Sequence, residues 1–287
     1  MLYFTAGSEL GALSLRTGRV IQRIPLVEAG QPILYGGVRL FGSSMAWLSG
    51  PETVLLHAQQ GSIVGIATFD PAKRRVEAFR PLRAFGLSSC STGTAVASIR
   101  IGQLPDGRPR FSTVLLSPSS LATLDSITAP AEYQSIIPTG DCGTGYSIGP
   151  GLLALYSIAA HQITVEKPIQ TPGYVAVAPD RKRLALSDAG IGLDFPGSGR
   201  VFVYDDSLSL VKAIDLAPIA TTVFPVATNL LAWSHDDRWL WVSAGSSPAT
   251  LYPAQQAQVV LIDGQSFELV GSIRFNHWSG VWLFPLR

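Results

Sequence analysis

Residues 230–275 read LLAWSHDDRWLWVSAGSSPATLYPAQQAQVVLIDGQSFELVGSIRF, and residues 174–216 read YVAVAPDRKRLALSDAGIGLDFPGSGRVFVYDDSLSLVKAIDL. Both stretches contain four short runs rich in Val, Ile, Leu, Phe, Trp or Tyr, a composition typical of β-strands. A tight turn separates the first two runs, a long loop the middle two, and a second tight turn the last two. A four-stranded unit of this kind, repeated along a chain, is typical of a β-propeller blade.

The last hairpin of this unit recurs along the whole chain. Its turn falls near positions 17, 71, 118, 160, 206 and 264, so successive turns are about 42 to 58 residues apart, a spacing typical of blades. The 28 Gly and 20 Pro leave little room for helices. Six turns predict an all-β, six-bladed propeller. Because residues 130–172 match the unit least well, seven blades or a β-sandwich stay open as alternatives.

The two ends of the chain contain complementary numbers of strands. The chain finishes with one apolar run, Gly280–Phe284, and begins with three, at about residues 2–6, 12–15 and 20–26. One strand plus three completes a blade, and pairing of the termini removes an unpaired sheet edge. We therefore expect the N- and C-terminal strands to close the last blade, and residues 1–287 to form a single domain.

The overall charge argues against several classes of partner. The chain has 21 Lys and Arg against 20 Asp and Glu, without a run of like charge that could follow a nucleic-acid backbone. No window approaches the ~18 apolar residues of a membrane span. The first residues, Met1–Thr5, lack the basic start and apolar run of a signal peptide. We expect a soluble protein without nucleic-acid partners or membrane insertion, either cytoplasmic or the trimmed form of a secreted or periplasmic protein.

The two cysteines, Cys90 and Cys142, lie in segments rich in Ser, Gly and Thr. A bridge between them would close a loop of about 50 residues and stabilise the fold. Sequence separation does not report the distance between two Cα atoms, so both states stay open. Two free thiols are the favoured interpretation.

Turn residues in the two C-terminal units carry a resemblance to a known family. These are Pro179-Asp180 and His235-Asp236-Asp237 in the first turn, and Asp205 and Asp263 in the last turn. The units resemble YVTN-type and amine-dehydrogenase heavy-subunit-like β-propellers, over about 100 residues. The long insertions at 188–199 and 244–257 are also similar to those of that heavy subunit. The chain departs from the family in lacking a Gly after Asp180 and in having fewer than its usual seven blades.

This resemblance implies a supporting role, because the catalytic quinone of those enzymes belongs to the small partner subunit.

The candidate catalytic and metal-binding residues themselves favour structural interpretations. Asp side chains in hairpin turns bond their own backbone, and the adjacent Ser234, His235 and Asp236 cannot adopt the spacing of a catalytic triad. Four scattered histidines provide no ligand spacing, so we expect neither a metal site nor a cofactor.

Five segments are predicted at one end of the ring, where connections between middle strands lie beside connections between blades. They are Asp188–Pro196, Ser247–Pro253, Thr221–Pro225, Gly140–Cys142 and Asn276–Trp278. Their mixture of aromatic, small and acidic residues suits a partly apolar pocket. The predicted ligand-binding residues are Phe195, Tyr252, Phe224 and Trp278.

Two functions are compatible with this pattern. The leading hypothesis is a non-catalytic propeller that binds a protein partner or a small ligand through its long-loop face, because no catalytic motif is present. The alternative is an enzyme of isomerase, lyase or hydrolase type, acting on a small organic substrate at the mouth of the central channel. Its acids and bases would be Asp188, Asp194, Asp141 and His277.

Overall fold

The computed structural model describes residues 2–6, 9–14, 19–90, 92–105, 107, 109–149, 151–169, 175–178, 182–187, 199–216, 227–234, 236–245, 257–275 and 284–285. Every regular element in these ranges is a β-strand.

The strands follow one another along the chain with short connections. In the first half they are β1 (Leu2–Ala6), β2 (Glu9–Ser14), β3 (Arg19–Pro25), β4 (Val27–Glu28), β5 (Gln31–Pro32), β6 (Leu34–Tyr35), β7 (Val38–Leu48), β8 (Thr53–Gln60), β9 (Ile63–Asp70), β10 (Arg75–Arg80), β11 (Gly86–Ser89), β12 (Ala95–Gln103), β13 (Pro109–Leu116) and β14 (Thr123–Thr128). In the second half they are β15 (Ile136–Thr139), β16 (Thr144–Gly149), β17 (Leu152–Ser157), β18 (Gln162–Pro168), β19 (Val175–Val177), β20 (Arg183–Ser187), β21 (Arg200–Asp205), β22 (Leu210–Asp215), β23 (Ala227–Trp233), β24 (Trp239–Gly245), β25 (Ala257–Asp263), β26 (Leu269–Phe275) and β27 (Phe284–Pro285).

These strands form consecutive antiparallel sheets. Sheet 1 contains β27 and β1–β3, sheet 2 contains β6–β10, sheet 3 β11–β14, sheet 4 β15–β18, sheet 5 β19–β22 and sheet 6 β23–β26, while β4 and β5 form a two-stranded ribbon. A series of up-and-down sheets visited in chain order is the arrangement of a β-propeller. The prediction of an all-β propeller is confirmed.

The expected repeat is wrong in one respect. Five of the sheets have the predicted four strands, but sheet 2 has five. Its extra strand arises because Gly36 and Gly37, both at positive φ, allow a tight turn that pairs Leu34 with Arg39. The described residues give no support to seven blades or to a β-sandwich.

The first and last strands of the chain pair as expected. Strand β1 is antiparallel to β27, with Tyr3 opposite Phe284 and Leu2 opposite Pro285. Sheet 1 is therefore completed by the C-terminal strand, and the predicted closure is confirmed. The preceding part of the predicted last strand, 280–283, lies outside the described residues.

The core consists of apolar layers between neighbouring sheets. In sheet 2, Leu56 packs with Leu10 and Ile24 of sheet 1, whereas Leu55 packs with Val114 of sheet 3. Similar layers join sheets 3 and 4, sheets 4 and 5, and sheets 5 and 6. Because the middle strands are buried on both faces, their sequences are continuous apolar runs rather than alternating patterns.

Each sheet has two ends with different connections. With sheet 1 counted from β27 and sheet 2 counted from β7, the connection from the first to the second strand of a sheet and the one from the third to the fourth lie at the same end, which we call the turn end. The connection between the two middle strands and the exit to the next sheet lie at the other end, which we call the loop end.

The predicted turns of the last hairpins share one backbone design. The carboxylate Oδ1 of Asp70 accepts hydrogen bonds from the backbone N–H groups of Ala72 and Lys73, both at 2.9 Å. Asp205 and Asp263 do the same in sheets 5 and 6. Each of the five described turns also contains a non-glycine residue at positive φ, and these are Arg74, Leu121, His161, Leu208 and Phe267. The turns predicted near 71, 118, 160, 206 and 264 are confirmed, and the one near 17 lies outside the described residues.

Neighbouring aspartates in the sheet 5 turn allow a matched test. Asp205 accepts bonds from the backbone N–H of Ser207 and Ser209 at 2.9 and 2.8 Å, so Asp205→Ala should lower the free energy of unfolding by about 1 kcal/mol. Asp206 is exposed, so Asp206→Ala should change it by less than about 0.5 kcal/mol. Urea denaturation measures both. Equal effects of the two substitutions would contradict the turn design.

The same pair predicts a pH dependence. The Ser207 hydroxyl and then the Ser209 backbone N–H bond the carboxylate and lower the pKa of Asp205 below its ordinary value. A lowered pKa in the folded state means that the stabilisation is present above the unfolded pKa and is lost as pH falls through the folded pKa. The stability difference between wild type and Asp205→Ala should therefore be full at pH 7 and shrink below the ordinary pKa of aspartate.

Candidate functional site

The turn end of sheets 3 and 4 contains a disulfide between Cys90 and Cys142. Their Cα atoms are 5.6 Å apart and their sequence separation is 52, so the favoured interpretation of two free thiols is wrong. Cys90 directly follows β11, and Cys142 lies just before β16. Both cysteines thus occupy the connection between the first and second strands of their sheets, and the bond joins two neighbouring sheets.

The adjoining turns of sheets 2 and 3 are packed as closely. Gly93 has a φ of +84°, and a Cβ atom there would lie 3.2 Å from the backbone nitrogen of Gly50. The Ser89 hydroxyl donates a 2.6 Å hydrogen bond to the carbonyl of Trp47. The first turns of sheets 2, 3 and 4 therefore form one packed unit, which indicates a structural role for this end of the molecule.

Asp141 is the one predicted catalytic residue within the described residues. It is exposed in the same turn as Cys142, and its Oδ1 accepts a 2.8 Å hydrogen bond from the backbone N–H of Gly143. Because this turn joins the first two strands of sheet 4, Asp141 lies at the turn end. The sequence had predicted it among the long loops, so its predicted place in the fold is wrong. A catalytic role for Asp141 stays a prediction.

The other predicted site residues lie outside the described residues. They are Asp188, Asp194 and His277 as candidate acids and bases, and Phe195, Tyr252, Phe224 and Trp278 as candidate ligand-binding residues. Their segments connect β20 to β21, β22 to β23, β24 to β25 and β26 to β27. The predicted pocket stays a prediction.

The described part of the chain lacks two features. No group of three or more His, Cys, Asp and Glu side chains is arranged to hold a metal ion there. Within the same residues, no helix has the length and apolar character needed to cross a membrane.

Exposed apolar side chains mark a different part of the loop end. Among the described residues, six of the large exposed ones lie on the outer strands β3, β14, β22 and β26. The remaining five lie at the loop end of sheets 2 and 3, and these are Leu34, Ile63, Val64, Phe85 and Ile101. We call these five residues the apolar patch. They are 43–60% exposed, which distinguishes them from the buried core directly below.

The register of sheet 2 places two residues of the patch, Leu34 and Val64, in one cross-strand row, whereas Ile63, adjacent to Val64 on β9, projects from the other face. Leu34 lies opposite Arg39, Arg39 opposite Gln59, and Gln59 opposite Val64. Residues directly opposite in antiparallel strands project from the same face. Two residues beyond Val64 on that face, Ile66 is fully buried in the layer between sheets 2 and 3. This row of four residues therefore lies on the face of sheet 2 that packs on sheet 3, just beyond the buried part of that face.

Sheet 3 and its entry segment contribute the rest of the patch. Ile99 packs against the same buried layer, and Ile101, at which the register with β13 shifts, is 47% exposed. Phe85 precedes β11, and its ring centroid lies 5.5 Å from that of Phe111. The patch therefore combines side chains from both sheets that flank the layer.

The equivalent connection between sheets 3 and 4 is closed instead. Tyr133 is fully buried there and donates a hydrogen bond to the Glu166 carboxylate. Burial, followed by the Glu166 charge, raises the pKa of Tyr133 well above its ordinary value, so the phenol stays protonated as the donor. A Cβ at Gly149 would lie 2.8 Å from the carbonyl of Glu132, which shows how closely this connection covers its sheet. No comparable cover lies over the apolar patch among the described residues.

Charges around the patch are mostly positive. The loop end of sheets 2 and 3 comprises residues 27–41, 57–66, 81–87 and 98–111. In its described part, the arginines are Arg39, Arg83, Arg100 and Arg110, and the single acidic residue is Glu28. The ion pairs found in the described residues do not involve these four arginines, and they include pairs of Arg23, Lys73 and Arg75 elsewhere.

His57 lies two residues from Gln59 of this row on β8, but it adds no charge. It lies on β8 opposite Phe41 and Ile66, and it is half-buried. Burial lowers the pKa of His57 below its ordinary value, so the ring is neutral at pH 7. Sequence reasoning missed this region because Ile63 and Val64 continue an apolar run whose later residues are buried, and no local signal marks where burial begins.

Comparisons with known proteins identify the fold class. No family model matches the chain, and a search of the curated proteins found no match. Among solved structures, the chain is similar to hydrazine synthase of Kuenenia stuttgartiensis, with TM-score 0.54 and 11% identity over 93% of this chain and 80% of that one. It is also similar to the β-propeller domain of Myceliophteria thermophila Cps50 (Swd1), with TM-score 0.50 and 13% identity over 93% and 80% of the two chains.

A third similar structure comes from a nidogen/laminin complex. Its TM-score is 0.60 at 10% identity, over 98% of this chain and 97% of that one. At such identities the similarity shows the fold alone. The protein is a β-propeller.

The disulfide makes a direct prediction for stability. Replacing both cysteines, in Cys90→Ser/Cys142→Ser, should lower the free energy of unfolding by up to about 4 kcal/mol, since a loop of this length then gains entropy in the unfolded chain. Urea denaturation with and without a reductant measures the change. The reductant should shift the midpoint of the wild type but not that of the double variant. A wild-type midpoint that ignores the reductant after complete reduction would contradict the role of the bond.

Two neighbouring positions on β9 test the boundary of the apolar patch. Val64→Thr should change the free energy of unfolding by less than about 0.5 kcal/mol, because the side chain is already solvated. Ile66→Thr should lower it by about 3 kcal/mol, because it removes buried methyl groups and buries a hydroxyl. Both variants can be compared by urea denaturation. Similar losses at the two positions would place Val64 inside the core.

Proposed function

We propose that this protein is a non-catalytic β-propeller that binds a protein partner through the loop end of sheets 2 and 3. The apolar patch is the observation that carries the proposal. Soluble proteins seldom leave neighbouring large apolar side chains uncovered without a binding role. Interfaces are also enriched in aromatic residues and arginine relative to other surfaces, and Phe85 lies here with the arginines described above.

A protein partner fits this surface better than a small ligand. Small-molecule sites are concave and enclose most of the ligand surface, whereas the patch residues are 43–60% exposed. The enzyme alternative requires titratable groups that converge with altered pKa values. Its candidates Asp188, Asp194 and His277 lie outside the described residues, and Asp141 lies at the turn end, so no observation favours it.

We also propose a finer description of the architecture. Sheet 2 counts as a blade that has gained one strand, because it packs on sheets 1 and 3 through the same kind of apolar layer as the four-stranded sheets. The total is then six blades. Residues 1–287 then form a single domain. The turn bonds of Asp205 and Asp263 support assignment to the YVTN-type and amine-dehydrogenase heavy-subunit-like group.

The disulfide supports a proposal about the compartment. Disulfides persist in oxidising surroundings and are rare where thiols are kept reduced. The bond between Cys90 and Cys142 includes a cysteine that is 3% exposed. We therefore favour a secreted or periplasmic protein over a cytoplasmic one.

Two substitutions on different surfaces test the binding function. The full chain, immobilised, would be exposed to an extract of the cells that make it, as wild type, as Val64→Asp and as the control Leu124→Asp. Leu124 is 61% exposed on the outer strand of sheet 3, so it matches Val64 in chemistry but lies away from the patch. Proteins retained by the wild type and the control should be at least about tenfold depleted on Val64→Asp.

Quantitative mass spectrometry measures the retained proteins, and thermal unfolding shows that all three forms are folded. An identical set of retained proteins on all three would overturn the proposed function. Loss on both variants would show that retention depends on general surface hydrophobicity rather than on the apolar patch.

A further inference from the structure

We propose that the partner segment bound at the apolar patch is acidic, a stretch of polypeptide in which Asp or Glu alternates with Leu, Ile or Phe. This inference rests on the proposed function and specifies the class of partner. It comes from the charges that accompany the exposed apolar residues at the loop end of sheets 2 and 3.

Arg39 lies within the cross-strand row that joins Leu34 to Val64 in sheet 2. Its neighbours across the strands are Leu34 on one side and Gln59 on the other, so a ligand that covers Leu34 and Val64 must also cover the guanidinium. The group lies 4.7 Å from the ring centroid of Phe41, a contact that restrains it in place. A restrained guanidinium offers paired N–H donors that match a carboxylate.

Two further exposed arginines are close to patch residues in the sequence of sheet 3 and of the segment that enters it. Arg83 is exposed in the segment that leads to Phe85, and Arg100 is exposed beside Ile101. At the turn end, by contrast, Asp70 and Glu77 neutralise Lys73 and Arg75 at 2.7 and 2.9 Å. None of the ion pairs found in the described residues involves Arg39, Arg83 or Arg100. Because covering Arg39 with an apolar ligand would bury an unpaired charge, the surface favours a partner that supplies carboxylates.

A nucleic acid fits the same surface less well. Binding to a phosphate backbone without sequence preference draws on many cations and on aromatic rings that stack with the bases. Here the apolar patch consists of four aliphatic residues and Phe85. Aliphatic side chains interleaved with a few arginines suit a peptide of alternating acidic and apolar residues.

Defined peptide pools test the chemistry without knowledge of the natural partner. The first pool would contain labelled peptides about 12 residues long with Glu at alternate positions and Leu, Ile or Phe between them, and the second would have Lys in place of Glu. Fluorescence anisotropy on the full chain should show at least about tenfold tighter binding of the Glu pool. Raising the salt concentration from about 50 to 500 mM should weaken it.

Charge reversal locates the site. Arg39→Glu should weaken binding of the Glu pool by about tenfold and improve binding of the Lys pool. Arg19→Glu is the matched control, because Arg19 is exposed on the outer strand of sheet 1, and it should leave both pools unchanged. Equal binding of the two pools, or an Arg39→Glu variant that behaves as wild type, would overturn the acidic partner. Tighter binding of a single-stranded oligonucleotide of equal charge would overturn it in favour of nucleic acid.

The failure of this inference can be separated from the failure of the proposed function. If Val64→Asp loses the proteins retained from extract while the Glu pool does not bind, the binding function stands and the acidic class is wrong. If neither Val64→Asp nor Arg39→Glu alters the retained proteins, the loop end of sheets 2 and 3 is not the binding surface, and both proposals are wrong.

Discussion

The burial of sheets 2 to 5 against both of their neighbours is the constraint on which the rest of the structure depends. Leu55 and Leu56 are adjacent in β8 yet belong to different apolar layers, one shared with sheet 3 and the other with sheet 1. A sheet with two buried faces cannot stand at the end of a row without exposing one of them. The pairing of β1 with β27 completes sheet 1 from both ends of the chain, so that it has four strands, as sheets 3 to 6 do.

The same constraint explains what could be predicted from the sequence. Two-sided burial produces continuous apolar runs, and turns with Asp or Gly interrupt them. Strands, hairpins and the pairing of the termini can therefore all be predicted from the sequence. The added strand β6 was missed because its two residues, Leu34 and Tyr35, are too few to form a pattern. The disulfide was missed because proximity of Cys90 and Cys142 depends on how neighbouring sheets stack, and sequence separation does not report it.

Functional residues are harder to predict from the sequence than strands are, for a physical reason. A propeller draws its binding residues from connections of several sheets, so residues that act together are far apart in sequence and share no local motif. Asp141 shows the difficulty, because an acidic residue in a Gly-rich turn has the same sequence character at either end of a sheet. The apolar patch shows a second difficulty. Val64 and Ile66 are similar side chains on one face of one strand, and whether the neighbouring sheet covers them determines which of the two is exposed to solvent.

The disulfide between the first turns of sheets 3 and 4 also changes how the chain responds to cleavage. Residues 91–141 form a covalently closed loop that contains the β12–β13 hairpin, whose strands extend to the solvent at the loop end. A protease that cuts one peptide bond within this loop produces two fragments that remain linked through sulfur. The nicked molecule keeps its mass, apart from one added water, until it is reduced, so damage at the exposed hairpin need not release a blade.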